Sequence, residues 1–160
     1  MPSLCGLCYP SPFILRLKEE LMPLYRLLYR SEIALKVCES DLDSQIDEIV
    51  TASITSNAKV GLTGALIAFE GLFVQVLEGS RMPLERTFER ICCDARHRRV
   101  QLVDLAAADQ RVFQNWEMIR VDHALRLTRL RQKLGRTELP PLSLDTASSI
   151  VSLMRTSLPA

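Results

Sequence analysis

The stretch from Gly61 to Gly79 places the tightest constraint on the fold, because it reads as two strands joined by a tight turn at Glu70-Gly71. The second strand, Leu72 to Leu77, is apolar at every position except Gln75. A strand with one wet face alternates apolar and polar residues, whereas a continuous apolar run is typical of a strand covered on both faces. The hairpin is therefore predicted to lie at the centre of a sheet with cover on both sides.

Gln75 is the polar exception within this apolar strand. A primary amide carries two donors and two acceptor lone pairs, and burying it without partners costs about 1–3 kcal/mol. Something polar is therefore expected opposite its side chain. Two explanations stand: a structural one, in which the amide binds a neighbouring backbone group or a buried water, and a functional one, in which it binds a polar ligand.

Periodicity elsewhere in the chain predicts a β-α-β-β-α-β order with one further strand and two more helices. Ser40 or Asp41 can cap the first helix, and Ser80 can cap the second. The predicted elements outside the hairpin are strands at Leu24–Ser31, Val100–Leu105 and Asn115–Val121, and helices at 41–57, 80–95, His123–Leu134 and Leu144–Leu158. This order predicts an α+β, ferredoxin-like fold, in which two helices cover one face of the sheet and two C-terminal helices cover the other.

Composition narrows the class of protein. The 160 residues carry a formal net charge of +1, so no overall attraction to nucleic acid or to an anionic membrane is predicted. No apolar run approaches the roughly 20 residues that a membrane-spanning helix needs.

The five cysteines include the adjacent pair Cys92-Cys93, which does not suit a secreted disulfide framework, and a cytoplasmic location is predicted. Cys5 and Cys8 have C-x-x-C spacing, but no second pair completes a zinc site, so no metal is expected.

Three regions are predicted along the chain: an N-terminal extension at 1–22, a sheet domain at 23–122 and a helical segment at 123–160. The helix at 123–134 is basic, which is typical of a solvated face. The final helix carries apolar residues at helical spacing, which could pack on the sheet or form an oligomer or partner seam. These residues are Leu144, Ala147, Val151, Met154 and Leu158.

Six segments with distinctive residues follow one another along the chain. They are Leu27–Ser31, Ser53–Asn57, Gly61–Gly64, Phe73–Gly79, Asp94–His97 and Phe113–Met118. Together they resemble the BLUF family of blue-light receptors that use FAD, and the tail is similar to that of short, stand-alone members with two helices after the sheet. The resemblance implies a photosensory module that is not an enzyme and that signals through a partner protein or a homo-oligomer.

The resemblance implies that a flavin ring lies between the first two helices, against the sheet. Asn57 would bind the polar edge of the ring and Arg96 a ring carbonyl, while Ile49 would pack on the ring. The implied cofactor-binding residues are Tyr29, Ser31, Ile49, Asn57, Gln75, Arg90, Asp94, Arg96 and His97. FAD is the expected cofactor, with FMN or riboflavin as other candidates. Judged alone, each charged residue is more typical of a solvated helix end, but the shared Asp-x-Arg-His motif favours binding.

The resemblance also implies a photoactive network of Tyr29, Gln75, Trp116 and Met118. A phenol near an excited flavin can give up an electron and then a proton, provided that an amide bridges the two groups, and Gln75 has both hydrogen-bonding functions. Light would leave Gln75 rotated or tautomerised, with a stronger hydrogen bond to the flavin and a small red shift in absorption. Trp116 and Met118 would compete for the space beside Gln75, so the change would pass through the fifth strand to the C-terminal helices.

Two other functions remain open from the residues. Small ferredoxin-like acyl or phosphoryl hydrolases position phosphate with an arginine and an asparagine, and this chain has both types, but it lacks a Gly-rich phosphate loop before a helix. A flavin-free interaction domain would use the tail helices instead. The photoreceptor hypothesis alone predicts a yellow protein whose absorption shifts under blue light.

Overall fold

The computed structural model describes residues 23–121 and 144–156. Its strands are β1 (Leu24–Ile33), β2 (Thr63–Phe69), β3 (Leu72–Ser80), β4 (His97–Ala107) and β5 (Ile119–Arg120), and its helices are α1 (Glu39–Ala58), α2 (Arg81–Cys92) and α3 (Leu144–Arg155). The predicted α+β, ferredoxin-like fold is confirmed. The predicted extension at 1–22, with Cys5 and Cys8, and the predicted helix at 123–134 lie outside the described residues.

The five strands form one sheet in the order β4-β1-β3-β2-β5, so the predicted central position of β3 is confirmed. β1 pairs antiparallel with both β3 and β4, β2 pairs antiparallel with β3, and β5 pairs parallel with β2. The turn between β2 and β3 lies at Glu70 and Gly71, whose φ angles of 46° and 79° suit the twist of a hairpin. Each helix, α1 and α2, therefore connects two parallel strands that have one other strand between them.

Two apolar layers cover the sheet, one on each face. Because successive side chains of a strand point to opposite faces, Phe73 and Leu77 of β3 join the layer beneath α1 and α2, whereas Val74 and Val76 join the layer beneath α3. Residues from α1 and α2 that complete the first layer are Ile46, Ile49 and Leu84. The expectation that the continuous apolar run of β3 is covered on both faces is confirmed.

Helix α3 packs its apolar stripe onto the sheet. Ala147, Val151 and Met154 are buried together with Ile150 in the layer that contains Leu28 and the β3 valines. The interpretation of this stripe as an oligomer seam is wrong for these residues, because the sheet of the same chain already covers them. The side chains of Leu144 and Leu158 lie outside the description.

The fifth strand is much shorter than the predicted segment Asn115–Val121, and its pairing is confined to two residues. A turn precedes it, in which Trp116 N–H donates to the carbonyl oxygen of Phe113 at 3.0 Å. Gly64 N–H in turn donates to the carbonyl oxygen of Trp116 at 3.0 Å. These bonds hold residues 113–116 as a turn, so Trp116 and Met118 precede β5 and do not lie within a strand as predicted.

Within residues 23–121 and 144–156, no helix combines the length and the apolar character needed to cross a membrane.

The packing of α3 predicts the effect of truncating Ile150, one of the two fully buried side chains among the described side chains of this helix. Ile150 is fully buried, so Ile150→Ala should lower the free energy of unfolding by about 2–5 kcal/mol, the usual cost of such a cavity. Urea denaturation would measure this change. Ser152→Ala, at an exposed position of the same helix, should stay within about 0.5 kcal/mol of wild type. Equal, small effects of both substitutions would contradict the packing of α3 on the sheet.

Candidate functional site

A cavity of about 210 Å³ opens between α1 and α2 above the sheet. Its lining comes from α1, from α2, from the loop that follows α2, from β3 and from the first residue of β4. The lining residues are Ile49, Ala52, Ser53, Ser56, Asn57, Gln75, Thr87, Arg90, Ile91, Asp94, Arg96 and His97. A single water needs roughly 10–15 Å³ by comparable measures, so this space can take a sizeable part of an organic molecule.

The cavity combines an apolar wall with a polar margin. Ile49, Ala52 and Ile91 provide aliphatic surface, whereas the side-chain amides of Asn57 and Gln75 lie along its lining. Two arginines and one aspartate add charge at the end formed by the loop after α2. This distribution suits a ligand with a flat apolar body and a polar edge that accepts and donates hydrogen bonds.

Tyr29 and Gln75 are directly opposite each other on β1 and β3. Tyr29 is fully buried and Gln75 is 5 % exposed, and the phenol Oη of Tyr29 donates a hydrogen bond to Oε1 of Gln75. Burial raises the pKa of the Tyr29 phenol, with smaller contributions in the same direction from Asp94 and Cys92. The phenol is therefore neutral and remains a hydrogen-bond donor throughout the physiological pH range.

The amide nitrogen of Gln75 has a weaker partner than its oxygen. Nε2 of Gln75 donates to the thioether Sδ of Met118 at 3.5 Å, and a thioether sulfur is a weak acceptor. Gln75 also lines the cavity. The amide of Gln75 is therefore hydrogen-bonded to two side chains of the protein, those of Tyr29 and Met118, and it also faces a space that a ligand could fill.

The loop after α2 is organised by a bidentate ion pair. Arg96 donates from Nε and Nη2 to the Asp94 carboxylate at 2.9 and 2.6 Å, and its own backbone N–H binds the same carboxylate at 2.9 Å. The hydrogen bonds from Arg96 lower the pKa of Asp94 to about 2, and the same carboxylate raises the pKa of Arg96. Both groups are thus charged at neutral pH, and the ion pair sets the shape of the cavity at this end.

His97 packs between the loop and the sheet. Its ring centroid lies 4.9 Å from that of Phe73 and 6.1 Å from that of Tyr29, and Nδ1 lies 2.8 Å from Oγ of Ser31. Burial lowers the pKa of the imidazole. His97 is therefore neutral at pH 7, and Ser31 helps to fix the orientation of its ring from behind the cavity.

Asn57 joins the cavity to the segment before β5. It lies in the last turn of α1 and is almost fully buried, and its Nδ2 donates to the carbonyl oxygen of Glu117 at 2.6 Å. The sequence patterns did not predict this bond, because a backbone carbonyl carries no residue-specific signal. The bond holds the residue before Met118 against the helix that lines the cavity.

Most of the predicted binding residues come together. Ile49, Asn57, Gln75, Arg90, Asp94, Arg96 and His97 all line the cavity. Tyr29 and Ser31 lie one layer behind it, where they contact Gln75 and His97. Met118 contacts Gln75, whereas Trp116 is half-buried and contributes its carbonyl oxygen to Gly64.

Five lining residues are absent from the predicted binding set: Ala52, Ser53, Ser56, Thr87 and Ile91. Those on α1 follow Ile49 at the spacing of one helical face, and those on α2 lie within one turn of Arg90. The helical repeat would therefore have identified them. In the described part of the chain, no group of three histidine, cysteine or acidic residues is arranged to hold a metal ion.

The lowered pKa of Asp94 predicts a pH-dependent contribution to stability. The folded-state pKa of about 2 lies below the ordinary value of about 3.9, so the contribution is complete above about pH 4 and is lost as the pH falls towards about 2. The stability difference between wild type and Asp94→Asn should therefore shrink over that range in urea denaturation.

An Arg96→Met background provides the control for this prediction. It removes the main cause of the lowered pKa, so the pH-dependent stability difference between chains with and without Asp94→Asn should largely vanish there. Persistence of the full difference in that background would show that another group stabilises the carboxylate.

Comparisons with known proteins agree with this geometry. The family model described as "Sensors of blue-light using FAD" matches residues 24–119. The photoactivated adenylate cyclase subunit alpha of Euglena gracilis is 34% identical over 90 residues, which are 56% of this chain and 8% of that protein. The chain therefore spans about a tenth or less of the curated relatives that it matches.

Two solved structures cover nearly the same length. BlsA in its photo-activated state superposes with a TM-score of 0.74 at 25% identity, covering 86% of this chain and 98% of BlsA. The dark-state structure of BlrB, a BLUF protein, gives a TM-score of 0.71 at 30% identity and covers 86% of this chain and 99% of BlrB. Because the family model spans most of the chain and these structures share its fold, the chain belongs to the BLUF family of blue-light sensors that use FAD.

Proposed function

We propose that this chain is a blue-light receptor that holds a flavin between α1 and α2 and converts illumination into a change in hydrogen bonding at Gln75. The buried hydrogen bond between Tyr29 and Gln75, at the wall of a cavity with an apolar side and a polar margin, is the observation that carries the proposal. Family membership supports FAD as the cofactor. FMN and riboflavin share the same ring system and remain alternatives.

The chemistry of the lining fits a flavin ring. Ile49 and its α1 neighbours would pack on the flat, apolar body of the ring, and Asn57 and Gln75 would bind its polar edge. Arg96, oriented by Asp94, would face a ring carbonyl, while Arg90 and neutral His97 would line the surroundings of the ring and ribityl chain. Ser31 would act indirectly by fixing the His97 ring.

When bound, a flavin would supply the absorption of blue light and an excited state that takes an electron from a nearby phenol. Tyr29 holds the proton that accompanies this change, because its raised pKa keeps the phenol protonated and its Oη already donates to Gln75. Gln75 offers an acceptor to Tyr29 and a donor to Met118. Rotation or tautomerisation of the amide exchanges these functions, and the weak bond to sulfur presents little resistance.

The output is proposed to be a changed interface and not a catalysed reaction. A rearranged Gln75 would alter its contact with Met118 and hence the segment that leads to β5 and the C-terminal region. A partner protein or a second copy of the chain would respond if it bound the two states with different affinity. The predicted cytoplasmic location stays a prediction.

The hydrolase alternative is weakened by the charge beside its candidate arginine. The Arg96 guanidinium is already bound to the Asp94 carboxylate, which would repel a phosphate. A phosphate-binding arginine would instead present its donor fork to the ligand. The flavin-free interaction domain does not account for the polar cavity.

Absorption spectroscopy tests the proposal most directly. The purified chain should be yellow, should show a small red shift of its flavin bands under blue light, and should return to the original spectrum in the dark. Mass analysis of the released flavin would distinguish FAD from FMN and riboflavin. A colourless protein that does not take up added flavin, or a flavin-loaded protein with an unchanged spectrum under illumination, would overturn the proposal.

Substitutions at Tyr29 and Gln75 test the assigned roles. Tyr29→Phe removes the proton donor and Gln75→Leu removes both hydrogen-bonding functions, so each variant should bind flavin and lose the reversible red shift. Tyr25→Phe is a matched control, because Tyr25 lies on the same strand but packs against Arg81 of α2. A normal red shift in either test variant, measured beside this control, would refute the assignment.

A further inference from the structure

Glu78 is a fully buried carboxylate on the face of β3 opposite to the cavity. Val74, Val76 and Glu78 are two positions apart on β3, so their side chains share the face of the sheet beneath α3. Oε1 accepts from Nε of Arg26 at 2.7 Å and from the backbone N–H of Val112 at 3.0 Å. Oε2 accepts from the N–H groups of Val112 and Phe113, each at 2.9 Å. A buried charge is tolerated here because these hydrogen-bonding neighbours are all donors.

Two arginines also hold the segment 110–113, which contains Val112 and Phe113. One is Arg26 of β1, and the other is Arg111 of the segment itself. Nη2 of Arg26 donates to the carbonyl oxygen of Gln110 at 3.1 Å. Arg111 donates to the carbonyl oxygens of Glu78 and Gly61 at 2.9 and 2.8 Å. We call Glu78, Arg26 and Arg111, together with the segment 110–113 that they hold, the Glu78 clamp. The Glu78 clamp fixes the beginning of the connection from β4 to β5 against β1, which carries Arg26, and β3, which carries Glu78.

The connection touches both faces of the sheet. At its far end Met118 contacts the amide of Gln75 on the cavity face. Within the clamp, Phe113 is fully buried in the layer that contains Ile150 and Met154 of α3. One short segment therefore contacts the proposed photoactive amide at one end and is buried at the other in the apolar layer that also contains α3, where Glu78 binds it.

We infer that Glu78 is a positioning residue that couples Gln75 to α3. A segment free at both ends would absorb a change at Met118 by local rearrangement. Because the carboxylate ties Val112 and Phe113 to β3, the strand that carries Gln75, a displacement at Gln75 and Met118 moves Phe113 together with that strand and so reaches α3. The inference rests on the proposed photoreceptor function, and it adds a residue that contacts neither the cavity nor its ligand.

The chemistry of the site requires a carboxylate and not an amide. The donors are the guanidinium of Arg26 and two backbone N–H groups, which all point at oxygen atoms. Glutamine has nearly the same shape, but its NH₂ group would face another donor and could accept from none of them. Glu78→Gln should therefore loosen the clamp with little change in volume.

The test uses the flavin-loaded full chain and two measurements on each variant. The light-minus-dark absorption spectrum reports the chemistry at Gln75, and hydrogen–deuterium exchange of a peptide covering residues 144–156 reports α3. Wild type should show both the red shift and a light-dependent change in exchange. Glu78→Gln should keep the red shift and lose the light-dependent change in α3.

The two measurements separate the inference from the proposed function. A wild-type chain without a red shift would overturn the proposed function itself. A wild-type chain with a red shift but no light-dependent change in α3 would overturn only the inference, as would a Glu78→Gln variant whose α3 responds to light like wild type. A purely stabilising role for Glu78 would raise α3 exchange equally in light and dark, which would also contradict coupling.

Two further variants complete the design. Glu85→Gln makes the same chemical change at a half-exposed residue of α2 that pairs with Arg81, and it should behave like wild type in both measurements. Arg111→Met removes the hydrogen bonds from the segment to the carbonyl oxygens of Glu78 and Gly61, and it leaves the buried carboxylate unchanged. It should reduce the light response of α3 while preserving the red shift. If Glu78→Gln does not fold, a wild-type α3 response in Arg111→Met overturns the inference.

Discussion

The hydrogen bond between Tyr29 and Gln75 is the interaction on which the rest of the structure depends. Both side chains are buried, and each satisfies the other in an interior where an unpaired polar group would be costly. The bond requires a single register between β1 and β3, since a slip of one residue would turn Tyr29 towards α3. The apolar layers on both faces of the sheet enforce that register, so the core that stabilises the fold also keeps the site assembled.

The central strand divides its polar side chains between two faces. Gln75 lines the cavity, whereas Glu78 lies three residues on and holds the connection between β4 and β5 from the opposite face. Asn57 adds a third attachment, from α1 to the carbonyl oxygen of Glu117. The segment from 110 to 118 is therefore tied to the sheet and to a cavity-lining helix, which makes it the natural connection between the site and α3.

Electrostatics reinforce this arrangement at the other end of the cavity. The ion pair of Asp94 and Arg96 fixes the loop after α2, and the half-buried imidazole of His97 stays neutral beside it. Few of these groups can change charge near neutral pH. A response that depends on rearranged hydrogen bonds can therefore operate against a constant electrostatic background.

The sequence by itself determined the element order, the central place of the hairpin and the two-sided cover of β3, because these follow from periodicity and from the burial of apolar side chains. Motif resemblance located seven of the lining residues. Tertiary structure alone decided the length of β5, the packing of Val151 and Met154 on the sheet, and the bonds from Glu78 and Asn57 to backbone groups. Those bonds join residues more than 30 positions apart through N–H and C=O groups of the backbone, so no local pattern of residue types encodes them.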